Sequence, residues 1–157
     1  MFPKQNPRKP ANPVPQRLLD MVKSFEGFRS KPYLCAGGEW TIGYGHTAGV
    51  GPSTKPITEQ EAEALLRKTL ESIGAKVDEC VTVPLTDAQR DALISLVYNI
   101  GVSAFRGSTL LQRLNHGDYK AAAEQFERWV YAKGRKLPGL VKRRAAERAL
   151  FECRDEA

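Results

Sequence analysis

Glu26-Gly-Phe-Arg-Ser-Lys-Pro-Tyr-Leu-Cys35-Ala-Gly-Gly-Glu39-Trp-Thr41-Ile-Gly-Tyr-Gly-His46-Thr47 is the stretch whose reading decides the fold. Polar side chains, aromatics and glycines are concentrated here between two helical patterns. Upstream, Leu18, Leu19, Val22, Phe25 and Phe28 recur at steps of three and four, which marks an amphipathic helix ending near Glu26. Glu26 falls on the stripe made by Leu19 and Val22. A carboxylate beside apolar groups is partly desolvated, which favours the protonated form that a general acid needs. The competing expectation is an exposed glutamate on the last helical turn.

Between Pro32 and Pro56 the helical period stops, and Trp40-Thr-Ile-Gly-Tyr-Gly alternates as a strand does. Trp40, Ile42 and Tyr44 share one face and are expected to pack. Thr41, Gly43 and Gly45 share the other, which is expected to be nearly bare, a place where a ligand or another backbone comes close. Glu39 has the same parity as Thr41 and is a candidate second carboxylate, against the alternative of a surface glutamate at a hairpin. His46 is expected to hold structure through hydrogen bonds.

Further out, Thr58 and Glu61 form a capping-box pattern that opens a long helix reaching about Val81, with Ala62, Leu65, Leu66, Leu70, Ile73 and Val77 on one stripe. Thr86 caps the next helix, which carries Ala92, Leu93, Leu96, Val97 and Ile100 and stops at Gly101. Three more helices are expected over Phe105 to Asn115, Tyr119 to Ala132 and Pro138 to Cys153. Trp129 is expected in the core.

The chain has 157 residues, 41% hydrophobic and 27% charged, the size and composition of one globular domain that needs no disulfide or metal to stay folded. Residues 1–15 hold prolines at 3, 7, 10, 13 and 15 and are expected to form an extended arm. Residues 16–157 are expected to form a single catalytic domain, with a β-lobe over about 30–56 and a helical lobe over about 82–153. Cys35, Cys80 and Cys153 are odd in number and lack a CxxC spacing, so neither a disulfide framework nor a zinc site is expected. Cys80 and Cys153 read as small buried hydrophobes.

The net charge is +6, biased toward Lys133, Arg135, Lys136, Lys142, Arg143, Arg144 and Arg148. That bias suits an anionic polymer or surface, the alternative being a solvated helix face. These cations are not interleaved with aromatics, which argues against nucleic acid. No apolar run approaches a signal core or a membrane span.

At this point the residues resemble a known family, the phage-type lysozymes (endolysins) of glycoside hydrolase family 24. Its motif is a helix-ending Glu, a second residue nine positions on that is usually Asp, and a Thr six positions later in a TxGxGH strand. These positions fall on Glu26, Cys35 and Thr41, followed by Ile42-Gly43-Tyr44-Gly45-His46. Matches continue through Ala92-Leu-Ile-Ser-Leu-Val-Tyr-Asn-Ile-Gly101, Phe105, Ser108-Thr-Leu-Leu, Leu114-Asn-His-Gly-Asp118, Trp129, Pro138-Gly-Leu-Val-Lys-Arg-Arg144 and Glu147-Arg-Ala-Leu-Phe151.

The resemblance implies an α+β, lysozyme-like fold: a small β-hairpin lobe joined by a long helix to a mainly helical lobe, with a cleft between them. It implies a muramidase that hydrolyses the β-1,4 bond between N-acetylmuramic acid and N-acetylglucosamine in peptidoglycan for host cell lysis. Glu26, Cys35 and Thr41 would be catalytic, Tyr98 and Asn99 would bind sugar, and no cofactor or metal is called for. Cys35 is the departure, although cysteine at this position occurs within the family. As thiolate it could serve as base, electrostatic stabiliser or nucleophile, and it opens the site to oxidation.

Two other readings stay open: a lytic transglycosylase working through the single glutamate, and a catalytically silent basic module that binds cell wall. The chain is expected to be a monomer, made in the host cytoplasm without signal peptide or anchor. It would reach periplasm and wall through a holin-type partner and meet anionic wall or outer-membrane surface through its basic C-terminal helix.

Overall fold

The computed structural model describes residues 13–35 and 37–153, so most of the proline-rich arm, Ala36 and the last four residues lie outside the described part. The chain falls into two compact units, Met1–Glu71 and Ser72–Ala157.

In the first unit, α1 (Gln16–Glu26) buries Leu18, Leu19 and Val22, the stripe read from the sequence. Gly27, at a φ of 73°, ends it and donates its N–H to the Lys23 carbonyl, so Glu26 is the last helical residue. The antiparallel strands β1 (Arg29–Leu34) and β2 (Trp40–Gly43) follow, pairing Tyr33 with Thr41 and Leu34 with Trp40, with an irregularity between Arg29 and Tyr33. The second chain reversal is tighter: Ile42 and His46 exchange both backbone hydrogen bonds across Gly43, Tyr44 and Gly45.

The long helix α2 (Glu59–Cys80) then begins as the capping box predicts. The Thr58 hydroxyl accepts from the Glu61 N–H at 3.0 Å, and the Glu61 carboxylate accepts from the Thr58 N–H at 2.8 Å. Ala62, Leu66, Leu70 and Val77 are buried along it, while Leu65 and Ile73 are half-buried. The boundary between the two units falls inside this helix.

The second unit is built around α3 (Asp87–Ile100), where every residue from Asp91 to Val97 is buried. Thr86 and Gln89 form its capping box, and Gly101 ends it. Where α2 passes α3, Gly74 makes room for Arg90, whose guanidinium donates to both carboxylate oxygens of Asp78 at 2.9 and 3.0 Å. A β-carbon on Gly74 would lie 2.6 Å from that guanidinium. Short helices α4 (Val102–Arg106), α5 (Thr109–Asn115) and α6 (Tyr119–Gln125) follow, then a 3-10 turn over Phe126–Arg128 and α7 (Pro138–Phe151).

Two expectations about these helices are corrected. The single helix expected over residues 105–115 is interrupted at Gly107-Ser108, because Ser108 caps α5: its hydroxyl accepts from the Leu111 N–H and donates to the Phe105 carbonyl. The helix expected over residues 119–132 stops at Gln125, and its end belongs to a hairpin that the periodicity did not show. Strands β3 (Tyr131–Ala132) and β4 (Arg135–Lys136) pair across Lys133 and Gly134, both at positive φ (53° and 77°), as a two-residue primed turn requires.

Residues Arg143, Arg144 and Glu147 of α7 are buried together against α3. The Glu147 Oε2 atom accepts from Ser95 Oγ at 2.6 Å, Arg143 Nε at 3.1 Å and an Arg144 terminal nitrogen at 3.1 Å. Arg143 also donates to the Ser95 carbonyl, and Arg144 to that of Trp129. Arg144 Nε lies 2.7 Å from Glu147 Oε1, a close ion-pair contact whose N–H is poorly aimed for a hydrogen bond. Burial pulls the Arg144 guanidinium below its ordinary range, and Glu147 opposes that pull. The reading of the basic tail as one solvated face is therefore corrected for Arg143 and Arg144. Cys80, Cys153 and Trp129, expected in the core, are half-buried, and both cysteines are free thiols.

Candidate active site

Glu26 stands at the end of α1 and is half-buried, so its setting is not the exposed last-turn glutamate of the competing expectation. Cys35, also half-buried, follows β1 directly and opens the turn into β2. That turn is closed by backbone hydrogen bonds, from Cys35 N–H to the Glu39 carbonyl and from Gly38 N–H to the Cys35 carbonyl, each 2.9 Å.

Thr41 lies inside β2 with only 3% of its surface exposed. The nearly bare strand face expected from the alternation is thus corrected. Alternation assigns residues to a face but does not say what covers it; here a β-carbon on Gly43 would meet the β-carbon of Ala62 at 3.2 Å and Ile57 Cδ1 at 3.3 Å. Gly43 accommodates the start of α2.

The Thr41 hydroxyl donates to the Glu39 carbonyl at 3.1 Å. The Thr41 hydroxyl, then the N–H groups of Glu39 and Gly37, hold the Cys35 thiol below the ordinary thiol range, against smaller opposing effects of desolvation and the Glu39 charge. Glu39 itself is exposed at the turn.

Beneath this hairpin, Tyr44 is buried and donates to Glu59 Oε2 at 2.7 Å. Burial, then the Glu59 carboxylate, pushes its hydroxyl up to about 12. Its ring lies 5.6 Å from that of Phe28, and Lys23 Nζ sits 5.5 Å above it. Lys23 also pairs with Glu63, whose second oxygen holds Arg67 at 3.1 Å; Lys23 first, and Arg67 after it, keep the Glu63 carboxyl below its ordinary range. These contacts fix the end of α1, and with it Glu26, against α2. Tyr44 is a core residue, as its packing face suggested.

Tyr98 and Asn99 belong to the second unit, on the last turn of α3; Tyr98 is half-buried and Asn99 exposed. His46 is joined to Ile42 through its backbone. Among the described residues, no group of three or more His, Cys, Asp or Glu side chains could hold a metal ion, and no helix is long and apolar enough to cross a membrane. Sequence reasoning missed the donor role of the Gly37 and Glu39 amides, for which the Gly37-Gly38 pair was the available signal.

Residues 23–147 match the family model described as phage lysozyme. The chain belongs to the phage lysozyme family. It is 47% identical over 143 residues to the endolysin of Acyrthosiphon pisum secondary endosymbiont phage 1, covering 88% of this chain and 97% of that one. The muramidase domain of SpmX from Asticaccaulis excentricus superposes with a TM-score of 0.82 at 38% identity, covering 89% and 97% of the two chains. A point mutant of P22 lysozyme gives 0.77 at 37% identity over 90% and 99%. The fold is therefore lysozyme-like: mainly helical with a small two-stranded sheet. The chain spans about half (53% and 54%) of the length of the endolysins of Bacillus phages B103 and PZA, to which it is 42% and 41% identical over 88% of its own length.

Proposed function

We infer that this chain is a peptidoglycan-degrading muramidase, a lysozyme-type glycoside hydrolase that cuts the β-1,4 bond between N-acetylmuramic acid and N-acetylglucosamine for host cell lysis. The observation that carries the reading is a half-buried, helix-ending Glu26 followed by the hairpin that carries Cys35 and Thr41, in a chain matched by the phage lysozyme family over residues 23–147.

Glycoside cleavage needs an acid at the leaving oxygen and a group that activates water or stabilises the oxocarbenium-like transition state. In our reading Glu26 protonates the leaving oxygen. Cys35, as thiolate, supplies the negative charge and takes the proton of the attacking water. Thr41 belongs with Cys35. Glu39, exposed and opposing the ionisation of Cys35, is not needed as a second carboxylate. Tyr98 and Asn99 are proposed to bind the sugar chain, and residues 16–157 to act as one catalytic domain.

The partners proposed beyond peptidoglycan are an anionic wall or outer-membrane surface and, from the endolysin resemblance, a holin-type protein that lets the enzyme out of the cytoplasm. The cations that remain on the surface for the first are Lys133, Arg135, Lys136 and Lys142, all exposed. A monomer suffices for this chemistry.

Mass spectrometry of muropeptides released from purified peptidoglycan tests the reading. Wild type should yield reducing-end disaccharide products and Glu26→Gln almost none, a loss of about 10²–10⁴-fold for a general acid. Products ending in 1,6-anhydro sugar would replace hydrolysis by transglycosylation, and no cleavage by wild type would leave only a binding module.

A further inference from the structure

Four large hydrophobic side chains are exposed among the described residues, and three of them, Tyr131 (61%), Leu137 (38%) and Val141 (39%), fall within residues 131–141. The fourth, Leu34, lies in the other unit. The same stretch, continued to Lys142, carries Lys133, Arg135, Lys136 and Lys142 and no acidic residue. Every residue from Tyr131 to Gly139 is exposed, whereas Val130 before them and Arg143 after Lys142 are buried.

The strand register sorts these side chains. Tyr131 pairs with Lys136 and Ala132 with Arg135, so Tyr131 and Lys136 share one face of the hairpin, Ala132 and Arg135 the other. Leu137 is extended and falls on the side of Arg135, its N–H donating to the Val130 carbonyl at 3.0 Å. Val141, whose N–H donates to the Leu137 carbonyl at 3.0 Å, stands one helical turn above it. Apolar and cationic groups therefore lie on both faces of one element. A wall polymer meets a hairpin on one face, whereas a fluid lipid interface closes round it.

We propose that the β3–β4 hairpin and the first turn of α7 dock into the surface of a bilayer containing anionic lipid. Tyr131, Leu137 and Val141 enter the boundary between headgroups and acyl chains, and the cations pair with lipid phosphates. This deepens the surface-binding reading above, rests on it for the role of the cations, and commits that surface to lipid. Cations alone would hold the chain at any anionic surface, wall included; the apolar side chains add an attraction that needs acyl chains. Tyr131 has the amphipathic ring that favours this boundary. The turn at Lys133 and Gly134 holds the two short strands paired, so little ordering is left for docking to impose.

The test uses the full chain with three targets: phosphatidylcholine vesicles, vesicles with added phosphatidylglycerol, and lipid-free peptidoglycan sacculi. Co-sedimentation at low ionic strength compares wild type with Tyr131→Ser/Leu137→Ser/Val141→Ser and with Arg135→Glu/Lys136→Glu/Lys142→Glu. All six positions are exposed, so the variants should fold. The serine variant should bind anionic vesicles about tenfold more weakly while retention on sacculi is unchanged. The charge reversal should weaken both. A Tyr131→Trp reporter should shift its emission to the blue on anionic vesicles and be quenched by lipid brominated in the acyl chain.

Unchanged vesicle binding in the serine variant, or a reporter that is not quenched, would overturn the proposal. An equal loss on sacculi and vesicles would overturn it too, because the apolar side chains would then serve the wall. So would slower hydrolysis of lipid-free peptidoglycan by the serine variant with vesicle binding intact, which would assign the hairpin to the glycan. Each of these leaves the surface-binding reading standing. A charge reversal that changes binding to neither target would remove that reading, and this proposal with it.

Discussion

The α-carbon of Gly43 is packed against Ala62 so closely that a β-carbon built on it would lie 3.2 Å from the Ala62 β-carbon, while its backbone sits at a φ of 68°. Gly43→Ala meets both obstacles at once: a left-handed conformation, which costs about 1–2 kcal/mol for an L side chain, and a contact with the first turns of α2 that forces one side to shift. Chemical denaturation should show a loss of about 2–3 kcal/mol. Gly49→Ala, at a φ of 73° with open space around it, should lose only the backbone part.

Tyr44→Phe separates the hydroxyl from the ring. At neutral pH the variant should lose about 1 kcal/mol with the hydrogen bond to Glu59, the ring packing being retained. The folded tyrosine keeps its proton up to about 12, whereas an unfolded one releases it near 10. Its contribution is therefore complete below about pH 10 and disappears as pH rises through about 12. The gap between wild type and variant, measured in denaturant at about pH 8 and again at about pH 11, should narrow.

Glu147→Ala would remove the carboxylate that pairs with the buried Arg143 and Arg144 guanidiniums. A loss of about 3–5 kcal/mol is expected, read as a lower melting temperature. Glu152→Ala, which breaks an exposed pair with Arg148 on the same helical stretch, should change stability by less than about 0.5 kcal/mol.

Reversing the charges of Lys133, Arg135, Lys136 and Lys142 together should weaken retention on anionic vesicles and on cell wall at low ionic strength. The difference should vanish at about 1 M salt, where the screening length falls to roughly 3 Å. Co-sedimentation across a salt series reads this directly. Equal retention of the variant and wild type at low salt would remove the hairpin and α7 from the surface-binding reading.

Helix starts and stripes were legible because they are local: Thr58 with Glu61, Thr86 with Gln89, and the spacing of Leu18, Leu19 and Val22 all act within a few residues. The position of Glu26 at a helix end followed from the helical period of the residues before it. What failed depended on contacts distant in sequence. Thr41 was placed on the correct strand, but its cover comes from another element. Arg143 and Arg144 stand four and three residues before Glu147, a spacing that also describes surface ion pairs; only Ser95, on α3, shows that this cluster is internal. The β3–β4 hairpin was missed because two residues per strand offer no alternation to read.

That internal cluster also constrains how such a chain can diverge. Ser95, Arg143 and Arg144 all converge on the Glu147 carboxylate, so a change at any one removes a hydrogen bond from a buried polar or charged partner. Well-packed apolar replacement of a whole buried ion cluster is often neutral or better, yet its single-step intermediates are poor. The four positions should therefore be inherited as a block, and a lineage that abandons them has to cross a fitness valley or first accumulate stability elsewhere.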